Sequence, residues 1–388
     1  MKVLTRARPA VLAAVTLAVL APAVAQAAPA PWQIVPTPDA TAPSSVAGLA
    51  VLGPKDAWAV GEQSTGELAM HWDGTTWKAA PTHAVTAGGF SAVAARTGDD
   101  VWAVGQQGYY NNLVARAESR VNLAPGPGVT TLIEHWDGRV WTVVPGPNPG
   151  TRGNVLYGVA TAGREDVWAV GSSQDVDSDP VPLVQHWDGH AWTRVSTPAS
   201  TPGELQSVTV IAPDDVWAVG SDGPRSGTLS PLALHWNGRA WSKLAVPSRV
   251  SGNTDAKAVV GGPSGPLLVG TARTGNTRYS IEPAFARWQH GAWAQAPAPP
   301  VDQQQGLYVI AMAADRTGAV WAGGHLTTDR APYVARYDGK SWRPIALPAT
   351  GLSFVNALAT TPDGRNTWAA VYSGTGAHRH PVLLRHLA

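Results

Sequence analysis

The chain has 388 residues, 28 basic and 27 acidic side chains, and a formal charge of +1, so it carries no electrostatic footprint for a nucleic acid. Its lack of cysteine excludes disulfides, cysteine-ligated zinc or iron–sulfur centres and a cysteine nucleophile. Charged residues make up only 14%, and with 41 Gly and 33 Pro the chain is dense in turns, which excludes a long helical bundle.

At the N-terminus, Lys2, Arg6 and Arg8 precede an apolar run from Ala10 to Ala21, and Pro22 breaks it. Ala25-Gln26-Ala27 then supplies the small-x-small pattern that a signal peptidase reads. The run is about 12 residues where a membrane span needs about 20. Residues 1–27 are therefore expected to be a cleaved signal peptide, and residues 28–388 one secreted domain with no membrane attachment after cleavage. The bias of 22 Arg to 6 Lys is the kind found in GC-rich bacterial genomes and frames the chain as an exported bacterial protein.

Further along, the phrase DVWAVG or a variant recurs at Asp56–Gly61, Asp100–Gly105, Asp166–Gly171 and Asp215–Gly220. It decays to GPLLVG at Gly265–Gly270, GAVWAGG at Gly318–Gly324 and NTWAAV at Asn366–Val371. Each of the first six copies is followed by an aromatic-turn-Trp unit ending at Trp77, Trp141, Trp192, Trp241, Trp293 or Trp342. A period of about 50 residues predicts an all-β, seven-bladed β-propeller of four-stranded antiparallel blades. The blades span about 45–81, 88–145, 154–198, 204–247, 254–297, 306–348 and 353–388.

In the third unit, strands are predicted at Leu156–Thr161, Val167–Ser172, Leu183–Trp187 and Ala191–Val195, the last two joined at Asp188-Gly189 by a two-residue hairpin loop. The seventh unit offers strands near Phe354–Ala359, Trp368–Tyr372 and Leu383–His386 and lacks a fourth. Residues 31–36, with Trp32 and Pro36 in the W-x-x-x-P spacing of the other outer strands, are predicted to supply it and close the ring.

A glycine-ended strand, an aromatic-Asp pair and a Trp about five residues on resemble the kelch repeat, most closely at Gly318–Trp342. This resemblance to kelch, or galactose-oxidase-type, propellers implies a ring of the same kind. The copper radical chemistry of some such proteins depends on a Cys-Tyr thioether, which a chain without cysteine cannot form.

A residue repeated in most blades belongs to the scaffold. All 18 Trp fall at repeated positions, and so do His71, His135, His186 and His235, whose equivalents are Arg287, Arg336 and Arg385. These cations are expected to meet a turn Asp or a backbone carbonyl between blades, not a metal. Function is expected from non-repeated residues on the face carrying the long second-to-third-strand loops and the blade linkers.

The longest loop, within blade two, holds Tyr109, Tyr110, Asn111 and Asn112, a set suited to stacking on and hydrogen-bonding a sugar ring. Arg278, Tyr279 and Glu282 in blade five, His325 in blade six, and Tyr372 and His378 in blade seven complete the candidate binding residues. Asp175-x-Asp177-x-Asp179 has calcium-loop spacing, but Pro180 stands where such a loop wants Gly. Leu347-Pro348-Ala349-Thr350-Gly351 spells a sortase signal with no apolar tail behind it. The expected function is a secreted, monomeric binding module for a carbohydrate or envelope component, with no cofactor and no metal. The alternative is a polysaccharide lyase or glycoside hydrolase whose Arg, Tyr and His act on a uronate from the same face.

Overall fold

The computed structural model describes residues 32–83, 87–108, 128–198, 202–224, 226–247, 254–273, 281–302, 304–348 and 351–387. They form seven four-stranded antiparallel sheets. Blade three shows the pattern, with strands Gly153–Gly163, Asp166–Gln174, Val181–Trp187 and Trp192–Arg194 from the axis outward. The inner strands of successive blades touch in order, and that of blade seven (Leu352–Thr360) touches that of blade one (Ser44–Gly53), so the sheets close into a ring.

Closure joins the two ends of the chain. Gln33–Val35 pairs with the third strand of blade seven, His380–Leu387, in the register Gln33↔Arg385, Ile34↔Leu384 and Val35↔Leu383. Trp32 enters the interface between blades six and seven at 2% exposure and meets Trp321 edge-on at 5.6 Å. The predicted outer strand of blade seven thus forms as expected, and its pairing covers an edge that would otherwise present unpaired backbone groups.

The tryptophans build the blade interfaces. Trp58 of blade one packs on Trp136 and Trp141 of blade two at 5.2 and 5.4 Å. Trp102, Trp168, Trp217 and Trp368 make the same pair of contacts with the following blade. Blade five is the exception. Leu267 stands where the others have Trp, and Phe285 in the neighbouring strand reaches Trp342 of blade six at 5.2 Å instead.

Two local features differ from the sequence expectation. The aromatic pairs such as Trp187↔Trp192 are direct cross-strand partners, but they flank a four-residue turn, not a two-residue loop. The Asp188 carboxylate accepts the His190 and Ala191 amides inside that turn, and Gly189 takes φ 92°. Among the described residues, only blade five has the two-residue form, His290-Gly291 between Gln289 and Ala292.

The second feature explains the glycine that ends each VWAVG phrase. Each inner strand carries a β-bulge near its start, for example between Leu156 and Gly158. The bulge presses a backbone carbonyl against the second strand: a Cβ on Gly171 would overlap the Val155 oxygen, and one on Gly324 the Tyr308 oxygen. Blade seven has Val371 at this register and accommodates it with two register shifts and a positive φ at Phe354.

Candidate functional site

The two faces of the ring have different chemistry. On the hairpin-turn face the repeated residues satisfy one another. His71, His135, His186 and His235 lie 2.8 to 2.9 Å from Asp56, Asp100, Asp166 and Asp215, which open the second strand of the same blade. Each imidazole also lies against that strand's Trp, at 4.2 to 4.5 Å between ring centroids. Arg385 takes the same place in blade seven, donating to Asn366 Oδ1 and to the Pro54 carbonyl of blade one, both at 2.9 Å. The Asp73, Asp137, Asp188 and Asp338 carboxyls are held below the usual carboxylate range, Asp73 chiefly by Lys78 and the others by amides of their own turns.

On the loop face, the residue after each strand-ending glycine position forms an interblade layer: Glu62, Gln106, Ser172, Ser221, Thr271, His325 and Tyr372. Two of the candidate binding residues fall here, and their expected place on an open rim is corrected. His325 is 1% exposed and packs between Tyr308 and Phe354, at 5.4 and 4.5 Å. Tyr372 is buried beneath the Arg379 guanidinium, 4.9 Å from its ring centroid. The reason is strand length, since Val320–Leu326 and Asn366–Ser373 continue past the repeated phrase.

Glu282 and His378 are exposed, His378 in a single 3₁₀ turn at Gly376–His378. Tyr109, Tyr110, Asn111, Asn112, Arg278 and Tyr279 lie outside the described residues. In the calcium-like loop, Asp175 accepts the Thr151 amide and hydroxyl, both at 2.9 Å. Among the described residues, no group of three or more His, Asp or Glu side chains is placed to hold a metal.

A constellation missed in the sequence lies on the inner strands. The bulge residues are Ala47, Ser91, Tyr157, Gln206, Lys257, Ile310 and Asn356, one per blade, and all seven are partly exposed on the strands that line the axis. Lys257 of blade five is the charged one, and it faces residues two positions before the bulge in blades four to six, Glu204, Asp255 and Tyr308. Lys257 Nζ lies 2.7 Å from Asp255 Oδ2, and the Tyr308 ring centroid is 6.0 Å away. Gln206 Nε2 donates to Glu204 Oε1 at 2.7 Å. Burial acts to lower the Lys257 pKa; Tyr308, Asp255 and Glu204 act the other way and prevail, holding the ammonium above the ordinary lysine range. The axial channel thus has a charged, aromatic-flanked sector at its loop-face mouth, with both signs of charge and hydrogen-bonding capacity held on rigid strands.

No family model and no curated protein matches the chain. Its fold is shared with solved propellers. YCF48 from Cyanidioschyzon merolae aligns with a TM-score of 0.55 and 18% identity over 92% of this chain and 99% of that one. The RRP9 WD40 repeats align with a TM-score of 0.58 and 12% identity over 93% and 99%. A structure of YCF48 bound to D1 peptide aligns with a TM-score of 0.53 and 15% identity over 92% and 96%. At these identities the likeness is one of fold. The propellers named here are of the WD40 and YCF48 kinds; they show the ring, and the kelch resemblance stays an expectation from the repeats. The glycine on which that resemblance leaned answers to the inner-strand bulge carbonyl, a constraint of blade geometry.

Proposed function

We propose that the protein is an exported binding module that engages an extracellular or envelope component through its loop face, over the channel mouth of blades four to six. The observation that carries this reading is the contrast between faces. Charged and aromatic groups that the repeat does not require, Glu204, Asp255, Lys257 and Tyr308, gather at one end of the channel. At the other end, repeated His-Asp pairs satisfy each other.

A polypeptide segment is the ligand class we favour. Paired charges beside a tyrosine ring suit a backbone with polar side chains, and one structural neighbour is described as bound to a peptide. The carbohydrate reading rests on Tyr109, Tyr110, Asn111 and Asn112. The lyase alternative is weakened, because His325 and Tyr372 are enclosed between blades and do not stand beside a substrate surface.

The test presents residues 28–388 to peptide and glycan arrays in parallel. Binding to peptides that falls on changing Lys257 to Met supports the polypeptide reading. Binding to glycans alone would replace it with the carbohydrate reading, and binding untouched by changes at Lys257 and Tyr308 would remove the channel mouth as the site.

A further inference from the structure

Between blades four and five lies a pocket of about 310 Å³, within the size range of small-molecule sites, and a one-residue departure from the repeat opens part of it. In blades one to four, the glycine that closes the repeated phrase in the second strand has a leucine as its cross-strand partner: Gly61↔Leu68, Gly105↔Leu132, Gly171↔Leu183 and Gly220↔Leu232. Those leucines are buried and fill the gap toward the preceding blade. Blade six places Tyr333 opposite Gly324. Blade five alone places an alanine there, Ala284 opposite Gly270, and both line the pocket.

The neighbouring register has not lost volume in the same way. Leu268↔Ala286 stands where blade one has Ala59↔Met70, an exchange of large and small residues across the same pair. On the other side of blade five, Phe285 restores contact with blade six. The deficit at Ala284 is therefore confined to one spot. The remaining lining is mainly apolar, with Pro231, Val246 and Leu268. Among the polar groups, Asp255 has its Oδ2 on Lys257 while Oδ1 is buried without a hydrogen-bond partner. A carboxylate oxygen in that condition calls for a donor.

We infer that this pocket binds a small aromatic molecule bearing one N–H or O–H donor, of the indole or phenol class. The ring takes the pocket, including the place that a leucine fills in four other blades, and the donor meets the free oxygen of Asp255. This inference does not depend on the loop face holding a polypeptide.

Indole and its sulfur isostere benzothiophene, which lacks the N–H, serve as probes by calorimetry and thermal melting on residues 28–388. Indole is expected to bind once per chain and to raise Tm by about 2 °C at tenfold its Kd. Benzothiophene is expected to bind about tenfold more weakly. Ala284→Leu supplies the residue of blades one to four, so it is expected to melt at or above the parent and to bind no indole. Should it fail to fold, Ala284→Val serves, with reduced affinity expected. No saturable binding of indole or phenol to the parent, or undiminished binding to the filled variant, overturns the inference; equal affinity for benzothiophene overturns the role of Asp255.

Discussion

Replacing Glu134 with Gln tests whether the blade interfaces are as dry as their packing implies. Glu134 is fully buried in the third strand of blade two; its Oε2 accepts the His83 amide at 3.4 Å, and Oε1 has no partner. Burial, reinforced by the charge of Glu67 and opposed by the His83 amide, pushes its pKa up to about 7 from 4.5. The folded state therefore holds the proton more tightly than the unfolded chain. Its stabilising share is complete below pH 4.5, declines as pH rises toward 7, and is gone above that. A shift of this size corresponds to about 3 kcal/mol, or roughly 4 °C in Tm for a chain of this length. Gln185 occupies the same register in blade three and donates to the Pro147 carbonyl at 2.8 Å, so an amide suits this environment. Melting curves of the parent and Glu134→Gln from pH 4 to 8 are expected to diverge with rising pH, the variant being the more stable at pH 8. Equal dependence on pH, or a variant less stable at pH 8, would refute a dry, protonated Glu134.

Trp32→Ala is expected to cost about 3 to 5 kcal/mol, because it empties the interface where Trp32 meets Trp321 and His386; melting unchanged by it, or by deletion of residues 28–38, would show that the ends do not lock the ring. Asp188→Ala removes the acceptor of two turn amides, so thermal melting should fall slightly while array binding stays the same; a loss of binding would assign the functional face backwards. N-terminal sequencing of the exported protein should begin at Ala28, and an intact Met1 in the medium would end the signal-peptide reading.

The ring was legible in the sequence because its parts recur. A tryptophan every blade, a glycine under a bulge and an Asp-Gly turn each leave a mark at fixed spacing, and even the split seventh blade could be completed from residues 31–36. The candidate site was less legible, because the same rule that sets scaffold residues aside says nothing about where the remainder point. His325 follows the repeated phrase and Tyr372 ends its predicted strand, yet both second strands run two residues past the phrase, to Leu326 and Ser373, and hold these side chains in buried positions. Lys257 carries no such mark, because it lies in an inner strand, where a side chain is ordinarily packed. A signal was present: the bulge residue stands 14 positions before the strand-ending glycine in five blades, as from Tyr157 to Gly171, and the same count in blade five arrives beside Lys257. The repeat itself marks Ala284 as the counterpart of Leu232, each four residues before its hairpin Trp; the cross-strand register adds that this position faces the phrase-ending glycine and the preceding blade.

The most direct measurement of where this protein binds is hydrogen exchange on residues 28–388, with and without the tightest array ligand. A site at the channel mouth requires added protection in the inner strands around Glu204, Lys257 and Tyr308 and none in the turns at Asp73, Asp137 and Asp188. Protection confined to those turns, with the inner strands of blades four to six unchanged, would contradict it.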